Sequence, residues 1–172
     1  MELVFAPRNI LQIDDARICY KNFKGERSMY NQNGDRKFSL IIPDEETAEA
    51  LTSHTNELGA GWNVKIKAPK EQGEAPFRHL EVKLRYTDRS QPKIRLVSGD
   101  KVTMLTEQTV GILDDMKIAK VDLDIRPYDN ESRFGAHRTA YLMSMVVYQY
   151  TEDDRFASRF ASDDDGYDGY DE

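Results

Sequence analysis

Lys65 and Lys67 alternate with Val64 and Ile66 in the segment WNVKIKAP, and Lys83 and Arg85 alternate with Val82 and Leu84 in HLEVKLRY. Residues two apart on an extended chain share a face, so each segment carries a row of cations opposite a row of apolar groups. The same sorting sets Arg17 and Lys21 opposite Ile18 in ARICYKNF, and Lys37 opposite the face of Leu40 in KFSLII. Only Glu81 and the uncharged Cys19, Ser39 and Asn63 interrupt these rows. A later segment, AKVDLDIRP, presents Lys120, Asp122, Asp124 and Arg126 on its polar side, a mixture of signs. A solvated surface mixes charges in that later way. Rows of one sign on several strands predict a concave positive trough, suited to charge-assisted contact with successive phosphates.

Aromatic residues are interleaved with these bases. Tyr20, Phe23, Tyr30 and Phe38 fall within or beside the first basic region, and Trp62, Phe77 and Tyr86 flank the second. Rings beside a cationic groove can stack on nucleobases, at about 1–3 kcal/mol per base. By alternation Tyr20, Phe38, Trp62 and Tyr86 belong with the core. Phe23 shares the outward parity of Arg17 and Lys21, and Tyr30 sits near a polar hairpin tip. Phe23 and Tyr30 are therefore the stacking candidates, with Trp62 as a third.

Other chemistry is thinly represented. Glu81-Val82-Lys83 matches the E-x-K half of a Mg²⁺-dependent nuclease site, in which a carboxylate holds the metal and a lysine orients water. Its upstream acid would have to be Glu74, which lies in a loop. His54, His79 and His137 are scattered without ligand spacing. Cys19 has basic neighbours that could lower its pKa, but no partner base. Asp114, Asp115, Asp122 and Asp124 lack the glycine and closing glutamate of a calcium loop. There is no Gly-rich phosphate loop. No metal, cofactor or small-molecule ligand is expected.

The elements that must position the cations are mostly strands. Residues 16–42 read as a long hairpin turned at Asn33-Gly34, a pair that tolerates positive φ. PDEETAEALTSHTNELG reads as one helix, with Asp44 as N-cap, an apolar stripe of Ala48, Leu51 and Leu58, and Gly59 at its end. WNVKIKAP and HLEVKLRY are strands joined by the loop KEQGEAPFRH. KIRLVSG, KVTML and AKVDLDIRPY add three more, and TEQTVGILDD a short helix. RTAYLMSMVVYQY is apolar at both parities and predicts a central strand covered on both faces. Many strands, one clear helix and no strand–helix alternation argue against a parallel α/β fold. The expected class is mainly β: an antiparallel OB-fold-like barrel with one main helix and long hairpin loops.

Charge divides the chain in two. The net charge of −7 belongs entirely to residues 152–172, and residues 1–151 balance to zero. Residues 1–151 are thus expected to form one domain and 152–172 an acidic, disordered tail, ending DDDGYDGYDE. No apolar run reaches the roughly 18 residues of a membrane span, and MELVFAPRNI lacks the pattern of a signal peptide. With a single cysteine, these features predict a cytosolic protein.

The strand-rich body, the basic and aromatic hairpin and the terminal strip DDDGYDGYDE together resemble the single-stranded-DNA-binding proteins of bacteriophages and prophages. NFKGERSMYNQNGDRKFSLII and GWNVKIK also resemble a widespread prophage family. The resemblance implies an OB barrel with a mobile acidic tail, acting without catalysis in replication or recombination in the bacterial host cytoplasm. On that reading Arg17, Lys21, Lys37, Lys65, Lys67, Lys83 and Arg85 meet phosphates, while Phe23, Tyr30 and Trp62 stack on bases. Asp163, Asp164, Asp165, Tyr167, Asp168, Tyr170, Asp171 and Glu172 compete for the groove and recruit replication or recombination partners. Relatives end their tails on an aromatic residue, whereas here Asp171 and Glu172 follow Tyr170. Self-association stays open. The alternatives are an interaction or assembly module of a mobile element, with the tail serving solubility, and a nuclease using Glu81 and Lys83.

Overall fold

A computed structural model describes residues 1–151; the acidic segment 152–172, with its expected partner-binding residues, lies outside the described residues. The elements are β1 (Glu2–Ala6), β2 (Ile10–Ala16), β3 (Ile18–Asn22), β4 (Arg36–Ile42), α1 (Glu45–Ser53), β5 (Val64–Lys67), β6 (Phe77–Leu84), β7 (Lys93–Ser98), β8 (Lys101–Leu105), β9 (Ile118–Ser132) and β10 (Gly135–Gln149). A 3₁₀ segment, Val110–Asp115, precedes β9. The expected mainly-β class with one α-helix is what the chain adopts. Residues 1–16, which alternation did not resolve, supply β1 and β2.

The sheet runs β1-β2-β9-β10-β6-β4-β3, with β5 added to β6 and the β7–β8 hairpin added to β10. The arrangement is compatible with an OB-like fold, but the path stays open between β1 and β3 and does not close into a ring. Nor is every ladder antiparallel. β10 runs antiparallel to β9 along its length and parallel to both β6 and β7. Its core-facing parity, Ala140, Leu142, Met145 and Val147, is buried, whereas Tyr141, Ser144, Val146 and Tyr148 are only half covered. The expected central placement holds; the second face is open enough to present side chains.

One apolar cluster draws on Leu11 and Ile13 from β2, Phe38 and Leu40 from β4, Leu51 from α1, Leu80 and Val82 from β6, and Ile125 from β9. Leu80, Val82 and Leu84 point inward, as their alternation requires, which leaves the other parity of β6 outward. At α1 the carboxylate of Asp44 accepts from the Thr47 amide at 2.7 Å, satisfying an otherwise orphaned donor. The helix ends at Ser53, short of the expected Gly59. Asn56 takes over there: its side-chain oxygen accepts from the amides of Leu58 and Ala60, both at 2.9 Å, and the chain turns. Leu58 is left exposed instead of continuing the apolar stripe.

A bulge in β3 decides which side chains reach the surface. Cys19 pairs with Ser39 and Asn22 with Lys37, so Tyr20 and Lys21 together oppose the single residue Phe38. Tyr20 absorbs the extra position at φ +50°. A one-residue slip inverts every later side chain. Tyr20 therefore turns outward, while Lys21 and Phe23, expected outward, turn in.

Beyond the bulge, the 23–35 connection is tied at Gly25 and Gly34, both at φ +72°. A Cβ on Gly25 would stand 2.8 Å from the Gly34 carbonyl oxygen, so the crossing requires glycine.

Candidate nucleic-acid interface

The register of β4, β5 and β6 sets the outward cations side by side. Lys37 on β4 pairs with Lys83 on β6, Ser39 with Glu81, and Lys65 on β5 with His79. Lys67 pairs with Phe77, extending the row to the sheet's end. Four of the expected cations, Lys37, Lys65, Lys67 and Lys83, thus share one face. Arg85 is exposed just past β6, beside Arg89 and Arg126 in a surface cleft.

Glu81 is the acid at the centre of this face. Its two oxygens meet Lys37 Nζ at 3.1 Å and Lys65 Nζ at 3.6 Å, and Asp35 lies 3.9 Å from Lys83 Nζ. Burial opposes ionisation of Glu81, but the Lys37 hydrogen bond and the charges of Lys65, Lys37 and Lys83 outweigh it and hold its pKa below the ordinary value of 4.5. An anion already sits where these lysines converge. The same two ion pairs engage the carboxylate that the E-x-K pattern would need for a metal. Among the described residues no three His, Cys, Asp or Glu side chains group as a metal site.

Three rings lie on the same face. Phe77 and His79 stack at 5.3 Å and 21°, and Tyr20 meets them edge-on at 6.0 and 5.4 Å. Tyr20 is 39% exposed. His79 bonds through Nδ1 to Ser39 Oγ at 2.9 Å, and burial followed by the charge of Lys65 lowers its pKa, which favours the uncharged ring beside the lysines. Parity concealed Tyr20 because the bulge reverses it. Phe77 was expected in the loop KEQGEAPFRH, but β6 begins at Phe77, two residues before the expected strand, and so sets the ring on the row of His79, Glu81 and Lys83.

Four expected contacts lie elsewhere. The Arg17 guanidinium donates to the Ala119 carbonyl, and Lys21, buried, donates to the Met116 carbonyl at 2.5 Å. Both are occupied in fastening β3 to the entry of β9. Phe23 is fully buried and stacks on Phe38 at 5.4 Å; its amide donates to Asp114 at 2.7 Å. Trp62 is likewise in the core, its Nε1 donating to His54 Nδ1 at 3.0 Å and its ring lying 5.0 Å beneath the Arg138 guanidinium. Neither ring offers a base a surface. Tyr30 is the expected stacking residue that is open, at 88% exposure on the 23–35 connection.

The remaining aspartates have structural duties. Asp114 receives the Phe23 and Lys24 amides, and Asp122 receives the Asp15 amide at 2.8 Å.

Acid should loosen the molecule in two steps. Burial, then the Arg138 charge, lowers the His54 pKa below 6.5, so its neutral form contributes stability above that value that is lost as pH falls through the lowered pKa. The depressed Glu81 pKa gives stability present above 4.5 and lost further down. Denaturant midpoints measured against pH should therefore decline from near 6.5 downward. For Glu81→Gln the lower step should shrink, by about 1 kcal/mol for so partly exposed a pair; an unchanged lower step would remove Glu81 from this role.

A family model described as "Putative phage ssDNA-binding domain" matches residues 2–166. Among solved structures, the chain is similar to the single-stranded DNA-binding protein from bacteriophage Enc34, at 15% identity over 88% of this chain and 92% of that one, with a TM-score of 0.47. A C-terminal truncation of that protein gives 14%, 87%, 91% and 0.47, and its complex with ssDNA gives 14%, 87%, 92% and 0.46. No curated protein matches the chain.

Proposed function

The chain belongs to the phage ssDNA-binding domain family, and we propose that it holds a single DNA strand, without regard to sequence, against the outward face of β3 to β6. Phosphates meet Lys37, Lys65, Lys67 and Lys83, and bases stack on Tyr20, Phe77 and His79, with Tyr30 at the margin. The observation that carries this is the pairing of Lys37 with Lys83 and of Lys65 with His79 on one surface. Every base has a π-face, so stacking beside a cationic row binds any sequence. The protein acts as a binder and not as a catalyst, in replication or recombination of phage DNA within the bacterial host cytoplasm.

Fluorescence polarisation with labelled oligo-dT over a salt series tests the reading. On oligomers just long enough to cover this face, four phosphate contacts predict a log–log slope of about −3, at roughly −0.7 each. Binding that ignores salt would sink it.

The acidic residues 163–172 act as a tethered competitor for this face and as a handle for replication or recombination proteins. Covalent attachment to the same chain can raise a competitor's effective concentration to the order of millimolar. Deleting 163–172 should tighten oligo-dT binding, most at low salt; equal or weaker affinity would leave the tail a solubilising role.

A further inference from the structure

We infer that the strand's path continues past β6 onto β10 and β9, and that the cleft between Arg85, Arg89 and Arg126 receives phosphodiesters of the same strand; this rests on the reading of the β3–β6 face given above.

The register carries the argument. Lys83 on β6 pairs with Tyr141 on β10, and Tyr141 pairs with Arg126 on β9. Lys37, Lys83, Tyr141 and Arg126 thus form one lateral row across four adjacent strands, on the outward face throughout. The neighbouring row on the core side, Val82 with Ala140, is buried. The surface does not end where the antiparallel ladder of β4 and β6 ends.

Chemistry along this extension repeats that of the first patch. The Arg126 guanidinium lies 5.1 Å over the Tyr141 ring, and Tyr128 meets Tyr141 edge-on at 6.2 Å and 89°. Tyr128 is half exposed. Arg85 continues the parity of Lys83, and with Arg89 and Arg126 it lines an open cleft of about 450 Å³, completed by Thr87, Asp88 and Ser90. Three guanidinium groups against one carboxylate leave the cleft positive, and their planar forks match phosphate oxygens.

The turn that carries Arg89 is ordered by its own hydrogen bonds. Thr87 and Ser90 bond reciprocally, with Thr87 N and Oγ1 both donating to the Ser90 carbonyl at 3.0 Å and Ser90 N donating to Thr87 Oγ1 at 3.0 Å. That turn fixes where Arg89 starts. From His79 to Lys83 is four residues of strand, roughly 13 Å, so the two aromatic groups stand far enough apart to need a strand of several nucleotides to reach both.

The experiment is a ladder of labelled oligo-dT lengths, bound to the full chain and to Arg89→Ala, Arg126→Ala and Lys65→Ala/Lys67→Ala. Wild-type affinity should rise with length and level off once both patches are engaged. Arg89→Ala and Arg126→Ala should level off at a shorter length, and each should make the salt slope on long oligomers shallower by about 0.7. Arg126 supports a ring, so its variant is read only at temperatures where melting shows it folded; Arg89, on an exposed turn, carries the test independently. If Arg89→Ala keeps both the wild-type plateau length and the wild-type slope, the cleft lies off the path and the inference is overturned. Failure of the underlying reading looks different: Lys65→Ala/Lys67→Ala would then keep the wild-type slope at every length.

Discussion

Replacing Lys65, Lys67 and Lys83 together by alanine should lower affinity for oligo-dT and make its log–log salt slope shallower by about 2, at roughly 0.7 for each lost phosphate contact. The deficit is therefore largest in dilute salt. Between about 50 and 200 mM salt the ratio of wild-type to variant affinity should shrink roughly 18-fold. These lysines are exposed or half-buried and contribute nothing to the apolar cluster, so the melting temperature should hardly move. The comparison that isolates the trough is Arg17→Ala, whose guanidinium is bonded to Ala119 on another part of the molecule. Its slope should match the wild type. Equal slopes for the triple variant and the wild type would detach the β5–β6 cations from the nucleic acid.

Phe23→Ala should instead cost stability, about 3–5 kcal/mol for a fully buried aromatic side chain. At 2–4 °C per kcal/mol for a chain of this size, the melting temperature falls by roughly 10 °C or somewhat more. Wherever the variant is folded, its affinity for oligo-dT should equal that of the wild type, because the ring faces Phe38 and not the surface. Tyr20→Ala should show the converse. Its ring borders solvent and the Phe77–His79 stack, so binding weakens by about 1–3 kcal/mol while melting changes little. A Phe23→Ala protein that melts normally and binds poorly would return Phe23 to the interface.

The contrast between these two neighbours measures what the sequence could reveal. Alternation reads correctly wherever a ladder is unbroken. Leu80, Val82 and Leu84 go inward, and Lys37, Lys65 and Lys83 come out on a shared face, because period-2 geometry leaves no alternative once one parity is buried. It fails at β3, where nothing in ARICYKNF announces that Tyr20 will take a positive φ and invert the residues after it. A bulge depends on the partner strand, here Phe38 between Ser39 and Lys37, and so on information far away in the chain. Trp62 was readable as core by its parity with Val64, and the structure gives it that place. The arginine cleft was beyond reach for a related reason. Arg126 is one of two bases in a row of mixed sign, and only the pairing of β9 with β10, and of β10 with β6, brings it to Arg85. The strand-rich class followed from local pattern; the parallel ladders, which join segments remote in sequence, did not.

β10 is the last of the described strands to leave the ribosome, yet it is the piece to which β9, β6 and β7 are all bonded. Until it is delivered, Val82 and Ile94 have no partners in Ala140 and Met145, and the earlier strands present unpaired edges to the crowded interior of the cell. Translation thus yields separate strand groups with bare edges first, and the joined sheet only afterwards. A nonsense codon between the end of β9 and residue 135 would leave those edges permanently bare, a substrate for chaperones and proteases.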